Sequence, residues 1–115
     1  MKNKKKQENY LDKIPQIKSG LKWSIDESKA VTIEIENKKF ADKIAQKLLK
    51  KPKTSYIHLD ETGSFIWQLI NGENSIYSIG QEVHNHFGDA SEPLYERLIQ
   101  YFISLENCGF IEKIN

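Results

Sequence analysis

Apolar residues recur along this chain with a period that switches between two and about 3.6, and the switches mark its elements. Leu21, Trp23 and Ile25 alternate with Lys22 and Ser24, and Val31, Ile33 and Ile35 alternate with Thr32, Glu34 and Glu36. Each run has one apolar face, and the polar stretch Asp26, Glu27, Ser28 and Lys29 joins them, so an antiparallel hairpin with Trp23 on the core face is expected. Phe40, Ile44 and Leu48 then recur every four residues, flanked by Ala41, Ala45 and Leu49. With Lys43, Lys47, Lys50 and Lys51 at other positions and Pro52 as a stop, residues 40–51 read as a short basic amphipathic helix. The solvated face of a helix packed on the sheet explains those lysines more simply than a membrane surface does.

The period returns to two at Ser55, Ile57 and Leu59, which alternate with Tyr56 and His58 and predict a third strand. Asp60 ends it and suits an N-cap, with Glu61 adding favourable charge to the first turn of a helix that carries Phe65, Ile66, Leu69 and Ile70. Asn71 to Asn74 reads as a turn and Ser75 as the N-cap of a second helix, whose buried stripe is Ile76, Ile79, Val83 and Phe87 and whose end is Gly88. Pro93 suits the first turn of a third helix reaching about Asn107. On that helix Leu94, Leu98, Tyr101 and Leu105 form one stripe and Tyr95, Ile99, Phe102 and Ile103 a second. Their combined arc is about 200°, where a helix lying on one core needs little more than about 100°. One stripe is therefore available either to a partner or to a second face of the chain's own core. Gly109 breaks the helix, and Phe110, Ile111 and Ile114 form a short strand or packed tail.

Tyr10 to Lys18 has Leu11, Ile14 and Ile17 at helical spacing, interrupted by Pro15. Before it, Lys2, Lys4, Lys5 and Lys6 have no apolar neighbours whose burial would offset ordering, so residues 1–19 are expected to be a basic tail with an irregular segment. Residues 20–115 form the expected domain. At 115 residues one core hides roughly two-thirds of the unfolded chain's surface. The predicted class is α+β: a winged-helix-like order of a three-stranded antiparallel sheet followed by three helices, with an extra helix inserted between strands 2 and 3.

The net charge of +1 gives no global attraction for polyanions. A single cysteine, Cys108, excludes an internal disulfide and fits a reducing cytoplasm, and no apolar run is long enough to span a bilayer. Met1 to Gln7 lacks the apolar segment of a signal peptide. Catalytic chemistry finds no constellation here. His84 and His86, two apart on a helix, point about 200° from each other and do not share an ion readily. Cys108 has no His or Asp at triad-like spacing, no glycine-rich phosphate loop occurs, and Asp60 and Glu61 are accounted for by capping. No enzyme, cofactor or metal site is expected.

Leu59-Asp60-Glu61-Thr62-Gly63 followed by Ile66-Trp67, then Ile70-Asn71-Gly72-Glu73 and a short helix, resembles the PqqD-like proteins. That family includes the chaperone of pyrroloquinoline quinone biosynthesis and the recognition domains of peptide-modifying systems, and the resemblance covers Tyr56 to Ile114. It implies a non-catalytic adaptor: the leader of a ribosomally made precursor peptide joins the sheet at the edge of the third strand and lies against the third helix, while a separate enzyme, often of the radical-SAM type, modifies the peptide. Carried over by position, the strand contacts are Ser55, Tyr56, Ile57 and His58. On the helix Leu94, Arg97, Leu98 and Tyr101 are chosen, with Arg97 placed to hold a carboxylate of an acidic leader. The helix inserted at residues 40–51 departs from the compact pattern of that family. The alternative of another class is a winged-helix DNA-binding regulator, whose third helix would enter the major groove. Here that helix offers Arg97 and Gln100 but also Glu92, Glu96 and Glu106, which repel phosphates.

Overall fold

In a computed structural model, residues 10–36 and 54–114 are described. Their elements run β1 (Lys22–Ile25), β2 (Val31–Glu36), β3 (Thr54–His58), α1 (Glu61–Gln68), α2 (Ile76–Phe87), a 3-10 turn (Gly88–Ser91) and α3 (Leu94–Asn107). This is an α+β chain with the expected three-stranded antiparallel sheet and, after it, three helices. The helix expected at 40–51 lies outside the described residues. The chain divides into two compact units, residues 20–64 and residues 1–19 with 65–115.

In the first unit the strand order is β1-β2-β3. Trp23 faces Ile33 and Ile25 faces Val31 across β1 and β2, while Ile57 faces Ile33 and Ser55 faces Ile35 across β2 and β3. Directly opposed residues share a face, so Trp23, Ile25, Val31, Ile33, Ile35 and Ile57 form one apolar side and Lys22, Ser24, Thr32, Glu34, Tyr56 and His58 the polar side. The β1–β2 turn is locked by Asp26. Its Oδ1 accepts from the Ser28 amide (2.8 Å), the Ser28 hydroxyl (2.7 Å) and the Ala30 amide (3.0 Å), while Lys29 adopts a positive φ of 70°. The Ser28 hydroxyl first, then the Ala30 amide, hold the Asp26 carboxyl below its ordinary range.

The placement of Trp23 corrects the expectation from sequence. It lies on the apolar side as the alternation implied, yet it is 38% exposed and Ile25 is 42% exposed, whereas Val31 and Ile33 on the central strand are fully buried. Among the described residues β1 has a neighbouring strand on one flank only, so its apolar side chains are covered on one side.

In the second unit, Ser75 caps α2 by accepting from the Ser78 amide at 3.1 Å, and Ile76, Ile79 and Val83 are buried as the spacing predicted. Gly88 follows at φ 63°. Gly80 is the point of close approach between α2 and α3, since a Cβ there would stand 2.7 Å from Tyr95 Cε1 and 3.1 Å from Leu98 Cδ2. Tyr95 has little freedom to yield: its ring stacks on Tyr77 with centroids 5.7 Å apart, and its hydroxyl accepts from Gln81 Nε2 at 2.9 Å.

Residues 10–19 belong to this unit as a strap. The Lys13 carbonyl accepts from the Ile76 amide at 2.9 Å, Ile17 and Ile111 form an antiparallel bridge, and the Lys18 and Glu112 amides donate to the Phe110 and Gln16 carbonyls. Pro15, which broke the helical pattern, is buried. Glu112 closes the strap through the Ser19 amide (3.1 Å) and an exposed ion pair with Lys18 (3.5 Å). Tyr10 places its hydroxyl in a buried position with no hydrogen bond among the described residues, and burial, reinforced by the Glu106 charge, pushes its phenol up to about 12.

Candidate functional site

An antiparallel ladder alternates residues whose backbone groups face the neighbouring strand with residues whose groups face away. The Leu59 amide donates to the Val31 carbonyl at 2.9 Å, which fixes the parity of the β2–β3 pair. With the register Ile33 to Ile57 and Ile35 to Ser55, the amides and carbonyls of Ser55, Ile57 and Leu59 face β2. Those of Thr54, Tyr56 and His58 therefore face outward, and among the described residues no strand pairs with them. The same parity carried across β2 gives Trp23 and Ile25 the outward groups of β1.

Of the strand residues expected at the site, Tyr56 is 56% exposed and Ile57 38% exposed, on opposite sides of the sheet. His58 is exposed, and its Nδ1 lies 3.0 Å from Thr32 Oγ1 on the polar side, a bond that fixes the plane of the imidazole. Ser55 is half-buried and turned inward along the ladder. Tyr56 and His58 thus combine exposed side chains with outward backbone groups. Sequence alternation could name the strand but not this parity, which depends on the register against β2.

The end of β3 is held by two groups from the turn that follows it. Asp60 caps α1 as expected, its Oδ1 accepting from the Gly63 amide at 2.7 Å and its carbonyl from the Ser64 amide at 2.8 Å. Ser64, 2% exposed, accepts from the Val31 amide at 2.9 Å and donates to the Leu59 carbonyl at 3.2 Å. Nothing local in the sequence singles out Ser64, because its partner on β2 is 33 residues away.

The helix residues expected at the site separate by burial. Leu94 and Leu98 are buried, together with Phe102 and Leu105, in the inward stripe of α3, and Leu98 meets Gly80 of α2. Arg97 is exposed and forms no ion pair among the described residues, while Tyr101 is half-buried. Of the second stripe of α3, Tyr95 packs on α2 and Ile99 is half-buried, while Ile103 is 37% exposed. Spacing had grouped Phe102 with that second stripe; its complete burial moves it to the first. The strand and helix residues fall in different compact units.

The histidines have separate surroundings. His84 Nδ1 lies 3.7 Å from Glu92, whereas His86 stacks on Phe65 with ring centroids 4.4 Å apart. No helix among the described residues is long and apolar enough to cross a membrane.

The model of one protein family, coenzyme PQQ synthesis protein D (PqqD), matches residues 42–111. No curated protein and no solved structure gives a significant match.

Proposed function

Because the chain belongs to the PqqD family, a family of accessory proteins that bind precursor peptides in the biosynthesis of pyrroloquinoline quinone and related peptide products, we propose that it is a non-catalytic adaptor receiving a leader peptide by strand addition at the outer edge of β3. It presents that peptide to a separate modifying enzyme of the radical-SAM type, on a winged-helix-like scaffold. The observation that carries this reading is the outward row of backbone groups at Thr54, Tyr56 and His58, without a partner strand among the described residues. Such a row gives affinity through main-chain hydrogen bonds without reading sequence, and side chains supply the selectivity.

Ser55 and Ile57, turned toward β2, support the edge from within, and Ile57 offers its side chain on the apolar side. On α3, Arg97 and Tyr101 are the side-chain contacts, Arg97 holding an acidic leader residue, while Leu94 and Leu98 support the helix from the core. Glu96 on the exposed surface of the same helix weighs against a phosphate backbone as ligand.

The test is an amide-shift titration of labelled protein with a candidate short precursor peptide, at two salt concentrations. Saturable shifts at Tyr56, Ile57 and His58 are expected. Their absence, with salt-sensitive shifts induced by duplex DNA instead, would overturn the reading in favour of nucleic-acid binding. Arg97→Glu is expected to weaken binding of an acidic leader and to reduce its salt dependence; unchanged affinity would remove Arg97 from the site.

A further inference from the structure

A regular antiparallel pair of this parity exchanges two direct hydrogen bonds, one in each direction. At Val31 and Leu59 only one is direct, from the Leu59 amide to the Val31 carbonyl. The return path runs from the Val31 amide to Ser64 Oγ (2.9 Å) and from that hydroxyl to the Leu59 carbonyl (3.2 Å). A hydroxyl inserted in series spans more than one ladder bond would, so this pair is closed on one side by a direct bond and on the other by the Ser64 side chain. The hydroxyl is in turn fixed by α1, whose first turn is set by the Asp60 cap. His58, next to Leu59, is the last residue whose backbone groups face outward.

We propose that Ser64 is the positioning residue of the receiving edge: by standing in for one bond of the Val31–Leu59 pair, its hydroxyl sets how the end of β3 is held against β2 and so aims the outward amide and carbonyl of His58 at an incoming strand. The inference rests on the strand-addition reading and deepens it. Ser64 itself, buried and inside the ladder, touches no ligand. Its removal leaves either a buried amide and a part-buried carbonyl without this bridge or a ladder that closes directly and turns the edge. Either change alters the edge without removing any residue of it.

The experiment compares Ser64→Ala and Ser64→Thr with the unaltered protein, at a temperature where circular dichroism shows all three folded. In the free proteins, amide shifts and hydrogen exchange are recorded for Val31, Tyr56 and His58. Affinity is then measured by calorimetry with the synthetic leader segment of the candidate precursor used in the titration. Ser64→Ala is expected to speed exchange at Val31, to shift the His58 amide and to weaken binding about tenfold, the order of one lost hydrogen bond. Ser64→Thr, which keeps the hydroxyl, is expected to restore most of the affinity. Equal affinities for Ser64→Ala and the unaltered protein overturn the proposal, as does an equal loss in both variants, which would trace the effect to side-chain size. Absence of binding by the unaltered protein would instead overturn the strand-addition reading, and this inference with it.

Discussion

The two edges of the sheet flank the same central strand, yet they expose opposite chemistries. On β1 the residues with outward backbone groups, Trp23 and Ile25, carry their side chains on the apolar side; on β3 the corresponding residues, Tyr56 and His58, carry theirs on the polar side. A strand added at β3 would therefore form its hydrogen-bonded pairs among polar side chains, and its closer, non-hydrogen-bonded pair beside Ile57. At β1 the arrangement is reversed. An edge is thus defined by the parity that its neighbour imposes, as well as by its own residues.

Proline tests that parity most severely, since it deletes one amide at a chosen place. Ile57→Pro removes an inward amide and should cost about 3 kcal/mol or more in denaturant unfolding. Tyr56→Pro removes an outward one, which an edge strand tolerates, so the protein should stay folded while leader binding is lost. If both variants unfold alike, the assigned parity is wrong. Trp23→Thr sharpens the contrast with β1. The side chain is partly exposed, so a loss of about 2 kcal/mol, below that of a fully buried tryptophan, is expected, with leader affinity unchanged; a loss of affinity would bring β1 into the site.

Thr32→Val breaks the bond to His58 Nδ1 and should cost about 0.5 kcal/mol, as an exposed hydrogen bond does. Relaxation measurements should show the His58 ring more mobile, with no change at Trp23. The smallest effect concerns the β1 turn. Asp26 has its carboxyl pKa lowered in the folded state, from an ordinary value of 3.8. Its contribution to stability is therefore present above that value and is lost as pH falls through the depressed folded pKa. Asp26→Asn should flatten the acid limb of the pH–stability curve below that ordinary value, while exchange at the β3 amides stays as it was.

What could be read from the chain follows from how local each signal is. Asp60, Ser75 and Gly88 act on backbone within a turn of themselves, and each does what its position implied. Alternation assigned the faces of all three strands correctly, because a face is set by neighbours two residues apart. It could not tell that β1 lies at an edge, so Trp23 was expected in the core. On α3, Phe102 and Tyr101 are adjacent in sequence and both fit an apolar arc of about 200°, and only packing decides that Phe102 is the buried one. At the candidate site, spacing and family likeness pointed to Tyr56 and His58, but Thr32 and Ser64 act across the sheet and left no local trace. The strap was hidden for the same reason, with Pro15 masking its pattern and its partners at residues 110–112.

That strap has a consequence for the order in which the chain acquires structure. The contact between Ser19 and Glu112 joins residues 93 apart, so it closes a loop nearly as long as the chain, and its entropy must be met before the contact yields anything. During synthesis residues 10–19 leave the ribosome early and must wait until residue 112 has emerged. The hairpin of β1 and β2, whose partners are close in sequence, can form in the meantime. The strap is a seam sewn after the pieces exist, and it is the natural place for the second unit to begin to come apart.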